Sequence, residues 1–210
     1  MKLLELFSGT GSVGKVAKQL GWEVTSLDLK NSDINTDILN WDYKAQYKPK
    51  HFDFIWGSPP CTEYSIAKTT APRDIPAANK IVQKTLEIIN YLDPTYYVIE
   101  NPQTGYLKKQ EFMQGLNYVD VDYCKYSMPY RKRTRLWNNI HHFKPRPLCK
   151  KDCGSIINGR HIETAQKIPP GKKETWGDRH CFRQDELYVI PSELIHDIFE
   201  AIAVGGHTVF

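Results

Sequence analysis

The stretch Lys2-Leu3-Leu4-Glu5-Leu6-Phe7-Ser8-Gly9-Thr10-Gly11-Ser12-Val13-Gly14 decides how the rest of the chain is read. Lys2 to Phe7 is a short apolar run of strand length, and Gly9, Gly11 and Gly14 follow with the spacing G-x-G-x-x-G. Val13 to Leu20 then carries helical periodicity and is stopped by Gly21. Strand, glycine turn and helix N-terminus together make a cradle for a nucleotide, because a backbone without Cβ atoms can approach a ligand closely. Alone the spacing is a weak signal. It gains from Trp22 to Leu27, a second apolar segment that ends in Asp28, where an acid can accept both hydroxyls of a ribose. These features predict the opening unit of a doubly wound α/β domain and an adenosine-containing cofactor.

Glu5 selects among such cofactors. It stands inside the first strand, and acid-Leu-Phe-x-Gly-x-Gly is the pattern of S-adenosylmethionine sites. A dinucleotide site keeps that strand apolar up to the glycines and uses the helix end for a pyrophosphate. S-adenosylmethionine is therefore favoured over NAD, with Glu5, Phe7, Ser8, Gly9, Thr10, Gly11 and Asp28 as cofactor-binding candidates. Asp37, after a short third strand, is a further one, although an Asp in this position also suits a turn or helix cap.

Downstream, Phe52 to Trp56 reads as a buried fourth strand that stops in Gly57-Ser58-Pro59-Pro60-Cys61. Ligands of open α/β sheets sit outside the carboxyl ends of the strands, so a thiol presented there is a candidate nucleophile. A free cysteine otherwise behaves as a small buried hydrophobe. Thr62 to Asp74 reads as an active-site loop, and Ala78, Ile81, Val82, Leu86, Ile89 and Leu92 mark an amphipathic helix over Pro76 to Leu92. Tyr96 to Ile99 is a fifth strand closing in Glu100-Asn101-Pro102, which places a carboxyl beside the Cys61 turn if strands four and five are neighbours. Further strands are expected at Tyr118 to Tyr126 and at Thr134 to Asn138, and a C-terminal helix at Pro191 to Ala203.

A chain of 210 residues with 40% hydrophobic and 25% charged residues suits one domain with a modest insertion. No segment has the length of a membrane span, and the first strand begins almost at Met1, so neither a membrane nor a signal peptide is expected and the chain is read as intracellular. Five scattered cysteines argue against a disulfide framework. The net charge of +4 hides an asymmetry, because residues 131 to 185 hold 14 Lys or Arg against 5 Asp or Glu. Trp137, Phe143, Trp176 and Phe182 lie among these basic residues, a mixture that suits a polyanion with exposed bases. Cys149, Cys153, His161, His180 and Cys181 could hold zinc, but their spacing is not that of a standard knuckle and no metal is assigned.

The ordered set Phe7-Ser8-Gly9-Thr10-Gly11, Pro59-Pro60-Cys61, Glu100-Asn101 and Arg133-Thr134-Arg135 resembles the motif series of the DNA cytosine-5 methyltransferases, in particular short viral and phage-like members, over roughly residues 1 to 140. The resemblance implies a Rossmann-like sheet, with residues 1–137 as catalytic core, 138–190 as a small target-recognition-like insertion and 191–210 as a helix packed back on the core. It implies Cys61 as the nucleophile that adds to carbon 6 of cytosine, and Glu100 as the acid at ring nitrogen 3. Arg133 and Arg135 would be the pair that anchors the base, the cofactor carboxylate or the catalytic loop, and Pro59 would border the cofactor. The implied substrate is double-stranded DNA with its target cytosine flipped out, bound by a monomer. Tyr130-Arg131-Lys132 stands where the family has Gln and one residue before the arginines, and the family's C-terminal Gly-Asn has no good match near Gly205-Gly206-His207. Methylation of tRNA cytosine, of an exocyclic amino group, and a DNA-binding pseudoenzyme stay open as alternatives.

Overall fold

The computed structural model of the chain describes residues 1–69, 71–165, 182 and 184–206, and for 184, 185, 205 and 206 the backbone alone. The strands are β1 (Lys2–Leu6), β2 (Glu23–Asp28), β3 (Ile34–Asn35), β4 (Phe54–Gly57), β5 (Tyr96–Pro102), β6 (Tyr118–Asp122), β7 (Tyr130–Arg131) and β8 (Arg133–Asn138). Seven of them form one sheet in the order β3-β2-β1-β4-β5-β8-β6. The sheet is parallel except for β8, which lies antiparallel between β5 and β6.

Both faces of the sheet are covered, as the near-continuous apolar strands require. Alternation along β1 sends Leu3 to one face and Leu4 and Leu6 to the other. On the first face lie α1 (Ser12–Gln19), through Val13, Val16 and Ala17, and the C-terminal helix. On the second lies α3 (Ile75–Leu92), with Ala78, Val82, Thr85, Ile89 and Leu92 buried at helical spacing. Asp74 starts α3 by accepting a bond from the Ala77 amide, and Pro76 sits in the first turn, where no intrahelical donor is lost. The short α2 (Tyr43–Gln46) precedes β4, and α4 (Gln184–Leu187) precedes α5 (Ser192–Gly206). Leu194, Ile195, Ile198, Phe199 and Ile202 of α5 are buried, each contributing about 2 kcal/mol by removal from water.

One expected element differs. The strand at Tyr118 stops at Asp122, because the chain turns there into a 3₁₀ segment that buries Tyr123, Cys124 and Tyr126. In the described part of the insertion β9 (Ile156–Ile157) and β10 (Arg160–His161) form a small ribbon, and β11 (Glu163–Thr164) pairs with β7. Lys172, Lys173, Trp176, His180 and Cys181 lie outside the described residues. No helix among the described residues is long and apolar enough to cross a membrane.

Register brings the functional segments together. Leu6 pairs with Gly57, and Gly57 with Ile99, so the turns after β1 and β4 and the end of β5 share one sheet edge. Because β8 runs the other way, its first residues arrive at that same edge, Thr134 opposite Pro102.

Candidate active site

The glycine turn is built around Glu5. Its side chain is buried, with one carboxylate oxygen accepting the Val13 amide at 3.2 Å and the other the Gly14 amide at 3.0 Å. A Cβ at Gly14 would lie 2.6 Å from Glu5 Oε2 and 3.1 Å from Val24, so the third glycine serves the approach of helix to strand. Burial pushes the Glu5 carboxyl up to about 7, against the two amide bonds that favour its charge. Phe7 adopts φ 59, a left-handed conformation costing about 1–2 kcal/mol in a residue with a Cβ, before Gly9 and Gly11 take the same region freely. Asp28 accepts the Gly9 amide at 2.9 Å and the Leu29 amide at 2.7 Å, which ties the turn to the end of β2.

A cavity of about 390 Å³ opens over this turn, within the range of small-molecule sites. Of the cofactor candidates, Glu5, Phe7, Ser8, Gly9, Thr10, Asp28, Asp37 and Pro59 line it, and Gly11 forms the turn behind it. Asp37 also caps a 3₁₀ turn by accepting the Leu39 amide at 2.9 Å, the structural role its sequence context allowed.

Cys61 and Glu100 line the same cavity. The Pro-Pro-Cys turn is fixed from β5, where the Asn101 side-chain amide donates to the Pro59 carbonyl at 2.9 Å. Asn101 Oδ1 is buried and has no partner among the described residues. Burial raises the Cys61 thiol above its ordinary range, the Glu100 carboxylate raises it further, and Lys132 opposes both. The one cation that favours the thiolate, Lys132, is outweighed. Glu100 accepts a bond from the Tyr123 hydroxyl at 3.1 Å and has Lys132 Nζ at 3.8 Å.

Arg133 and Arg135, the expected anchoring pair, do not line the cavity. Each faces its register partner on β6: Arg133 Nε lies 3.3 Å from Asp122, and Arg135 Nε lies 2.7 Å from Asp120. Arg135 also stacks its guanidinium 3.5 Å from the centroid of Tyr118. Arg131 reaches Asp122 at 3.0 Å, so residues 131, 133 and 135 point one way and Lys132 the other, into the cavity beside Cys61 and Glu100. Sequence reasoning passed over Lys132. The period of two along an extended strand was the signal that could have found it.

The cavity is also bordered by residues that no motif marked. Tyr188 and Ile190 line it, the Ile190 amide donates to Ser12 Oγ at 3.2 Å, and Lys132 Nζ donates to the Leu187 carbonyl at 3.1 Å. Gly205 and Gly206 instead end α5, and His207 lies outside the described residues.

Comparison with known proteins agrees with this geometry. The family model of the C-5 cytosine-specific DNA methylases matches residues 1–116. A relative from Frog virus 3 (isolate Goorha), named Probable DNA (cytosine-5)-methyltransferase, is 40% identical over 196 residues, covering 83% of this chain and 91% of the viral protein. Among solved structures, a prophage-encoded E. coli protein described as a DNA modification methyltransferase superimposes with a TM-score of 0.51 at 16% identity. That match covers 71% of this chain and 52% of the other, a likeness of fold in which this chain spans about half the length of its neighbour. With the cofactor cradle, the thiol and the carboxyl on one sheet edge, and a family model and a close viral relative in accord, the chain belongs to the C-5 cytosine-specific DNA methylases.

Proposed function

We propose that this chain transfers a methyl group from S-adenosylmethionine to carbon 5 of cytosine in DNA through a covalent adduct on Cys61. The observation that carries the reading is that Cys61 and Glu100, from adjacent strand ends, line one cavity together with the glycine turn and Asp28. The residues present fit the cofactor: a carboxylate at the end of β2, a turn that strands one buried carbonyl oxygen on Asn101, and space of small-molecule size. Gly9, Thr10, Asp28 and Asp37 would hold it, and bound there it supplies an electrophilic methyl group.

The chain's own residues do the rest. Cytosine carbon 5 is a poor nucleophile until Cys61 sulfur adds to carbon 6 and makes the ring electron-rich. A proton shared between Glu100 and ring nitrogen 3 favours that addition, and Lys132, whose Nζ lies 3.8 Å from Glu100, favours ionisation of the Cys61 thiol. After methylation a water molecule takes the proton from carbon 5, the C5–C6 double bond re-forms, and the C6–S bond breaks to return the Cys61 thiolate. The target cytosine must leave the duplex to reach a thiol that lines a cavity, at a cost of a few kcal/mol that backbone contacts offset.

DNA containing 5-fluorocytosine tests the adduct, since fluorine at carbon 5 cannot leave as a proton. The wild-type chain with S-adenosylmethionine should form a complex that survives denaturant, and Cys61→Ala should form none while still binding cofactor. Methyl transfer by Cys61→Ala would refute the covalent route, and labelling of tRNA in place of DNA would move the substrate to RNA.

A further inference from the structure

We propose that Cys124, Cys149, Cys153 and His161 form a structural zinc site that fastens the insertion to the catalytic sheet. Their ligand atoms all lie within 4.8 Å of one another. His161 Nε2 is 3.4 Å from the Cys153 sulfur and 3.6 Å from that of Cys149. A tetrahedral zinc, with Zn–S of about 2.3 Å and Zn–N of about 2.0 Å, sets S···N edges of ~3.5 Å and S···S edges of ~3.8 Å. The two S···N edges fit one ion, and shifts of about 1 Å at most would bring all four ligand atoms onto the same tetrahedron. A disulfide would use two of the sulfurs and leave a thiol and an imidazole beside it without a function. Three thiolates and one imidazole, with no oxygen ligand, select zinc over magnesium or calcium.

The backbone around the cluster is shaped for it. Cys149 and Cys153 flank a tight turn in which Lys151 takes φ 67, and the Lys151 amide donates to the Cys149 sulfur at 3.3 Å. An amide aimed at a sulfur stabilises its thiolate. The Cys149 amide in turn donates to buried Asp122 at 2.9 Å. His161 is carried by the β9–β10 ribbon, closed through Asn158 and Gly159 with φ 51 and φ 73, the left-handed pair of a tight hairpin turn. Cys124 comes from the buried 3₁₀ turn after β6. Residues 150 to 165 contain no fully buried side chain, so this segment has little apolar core of its own and a metal staple supplies what the core does not. The site has a second consequence, because Asp122 also holds Arg131 and Arg133, the residues on either side of Lys132. An ion at this place therefore braces the strand that aims Lys132 at Cys61.

The test is metal analysis of the full-length chain by inductively coupled plasma mass spectrometry after extensive dialysis, with cobalt replacement as a second readout. One zinc per chain is expected, and Cys153→Ser and His161→Ala should each lose most of it. The cobalt form should show the intense visible bands of a tetrahedral thiolate site together with sulfur-to-cobalt charge transfer in the near ultraviolet. If the variants do not fold, cobalt titration of the chelator-stripped wild type still decides the matter. Wild-type chain with no metal above background that also fails to bind cobalt would overturn the proposal. So would a Cys149–Cys153 disulfide in protein purified under reducing conditions, or iron in place of zinc.

Discussion

Glu5 makes the stability of the cofactor turn depend on pH in a direction opposite to most acidic residues. Its carboxyl is pushed up to about 7 from an ordinary value of 4.5, because burial outweighs the two amides at the start of α1. Between these two values the native chain holds a proton that the unfolded chain has released, so stability falls as pH rises through this window and is level above it. Two and a half pKa units at 1.36 kcal/mol each amount to about 3 kcal/mol. Glu5→Gln removes the titration. Its amide accepts one of the two N–H bonds and opposes the other, so the variant carries a constant offset, and only the change with pH is diagnostic. Urea unfolding of both chains at intervals from pH 4.5 to 8 should show the wild type losing about 3 kcal/mol relative to the variant by pH 7. Parallel curves would mean that the carboxyl does not titrate in this window. Parallel curves are what a Glu5 held ionised throughout by the helix-terminal amides would give.

Because Lys132 holds the Cys61 thiol down, Lys132→Met should slow methyl transfer by about tenfold and move the rise of the pH–rate profile to higher pH with cofactor affinity unchanged; an unmoved profile would remove Lys132 from the chemistry. Asp122→Asn leaves Arg131 and Arg133 facing an uncharged amide and should cost about 3 kcal/mol in urea unfolding. A loss below about 1 kcal/mol, the usual worth of an exposed pair, would show that these contacts behave as surface ion pairs. Asp28→Ala should weaken S-adenosylmethionine binding by about 1–3 kcal/mol in calorimetry, and unchanged affinity would displace the ribose from the end of β2. Substituting Lys172 and Lys173 together by Ala should lower the logarithmic salt slope of DNA binding by up to about 2 while the methylated sequence stays the same, and an unaltered slope would place the duplex elsewhere.

The parts of the site that were legible in the sequence are contiguous motifs at the ends of strands. The glycine turn, Pro59-Pro60-Cys61 and Glu100-Asn101 each carry their geometry in neighbouring residues, and consecutive parallel strands bring them to one edge. What stayed hidden depends on pairing between distant segments. Whether Lys132 or Arg133 faces the cavity follows from the register of β8 against β6, which matches Arg133 with Asp122 and Arg135 with Asp120. A basic run read as letters shows only charge; its alternation shows two sets of side chains with different duties. Cys124 was invisible as a partner of Cys149 because only the turn after β6 brings it there. The lining contributed by Tyr188 and Ile190 had no motif to mark it, because a wall reached through a backbone amide such as that of Ile190 needs no particular residue types.

That wall bears on the order in which the protein becomes competent during synthesis. The amide of Ile190 and the hydroxyl of Ser12 are 178 residues apart along the chain. The glycine turn can form as soon as β1, α1 and β2 have emerged, and Cys61 and Glu100 follow early. Yet the wall made by Tyr188 and Ile190 does not exist until nearly all of the chain described here has left the ribosome, and Lys132 has no carbonyl at Leu187 to hold it before then. A nascent chain would thus display a cradle that still lacks this part of its lining. Affinity for the methyl donor should therefore appear as a late, abrupt event in translation, so that an unfinished chain cannot act on the nucleic acid around it.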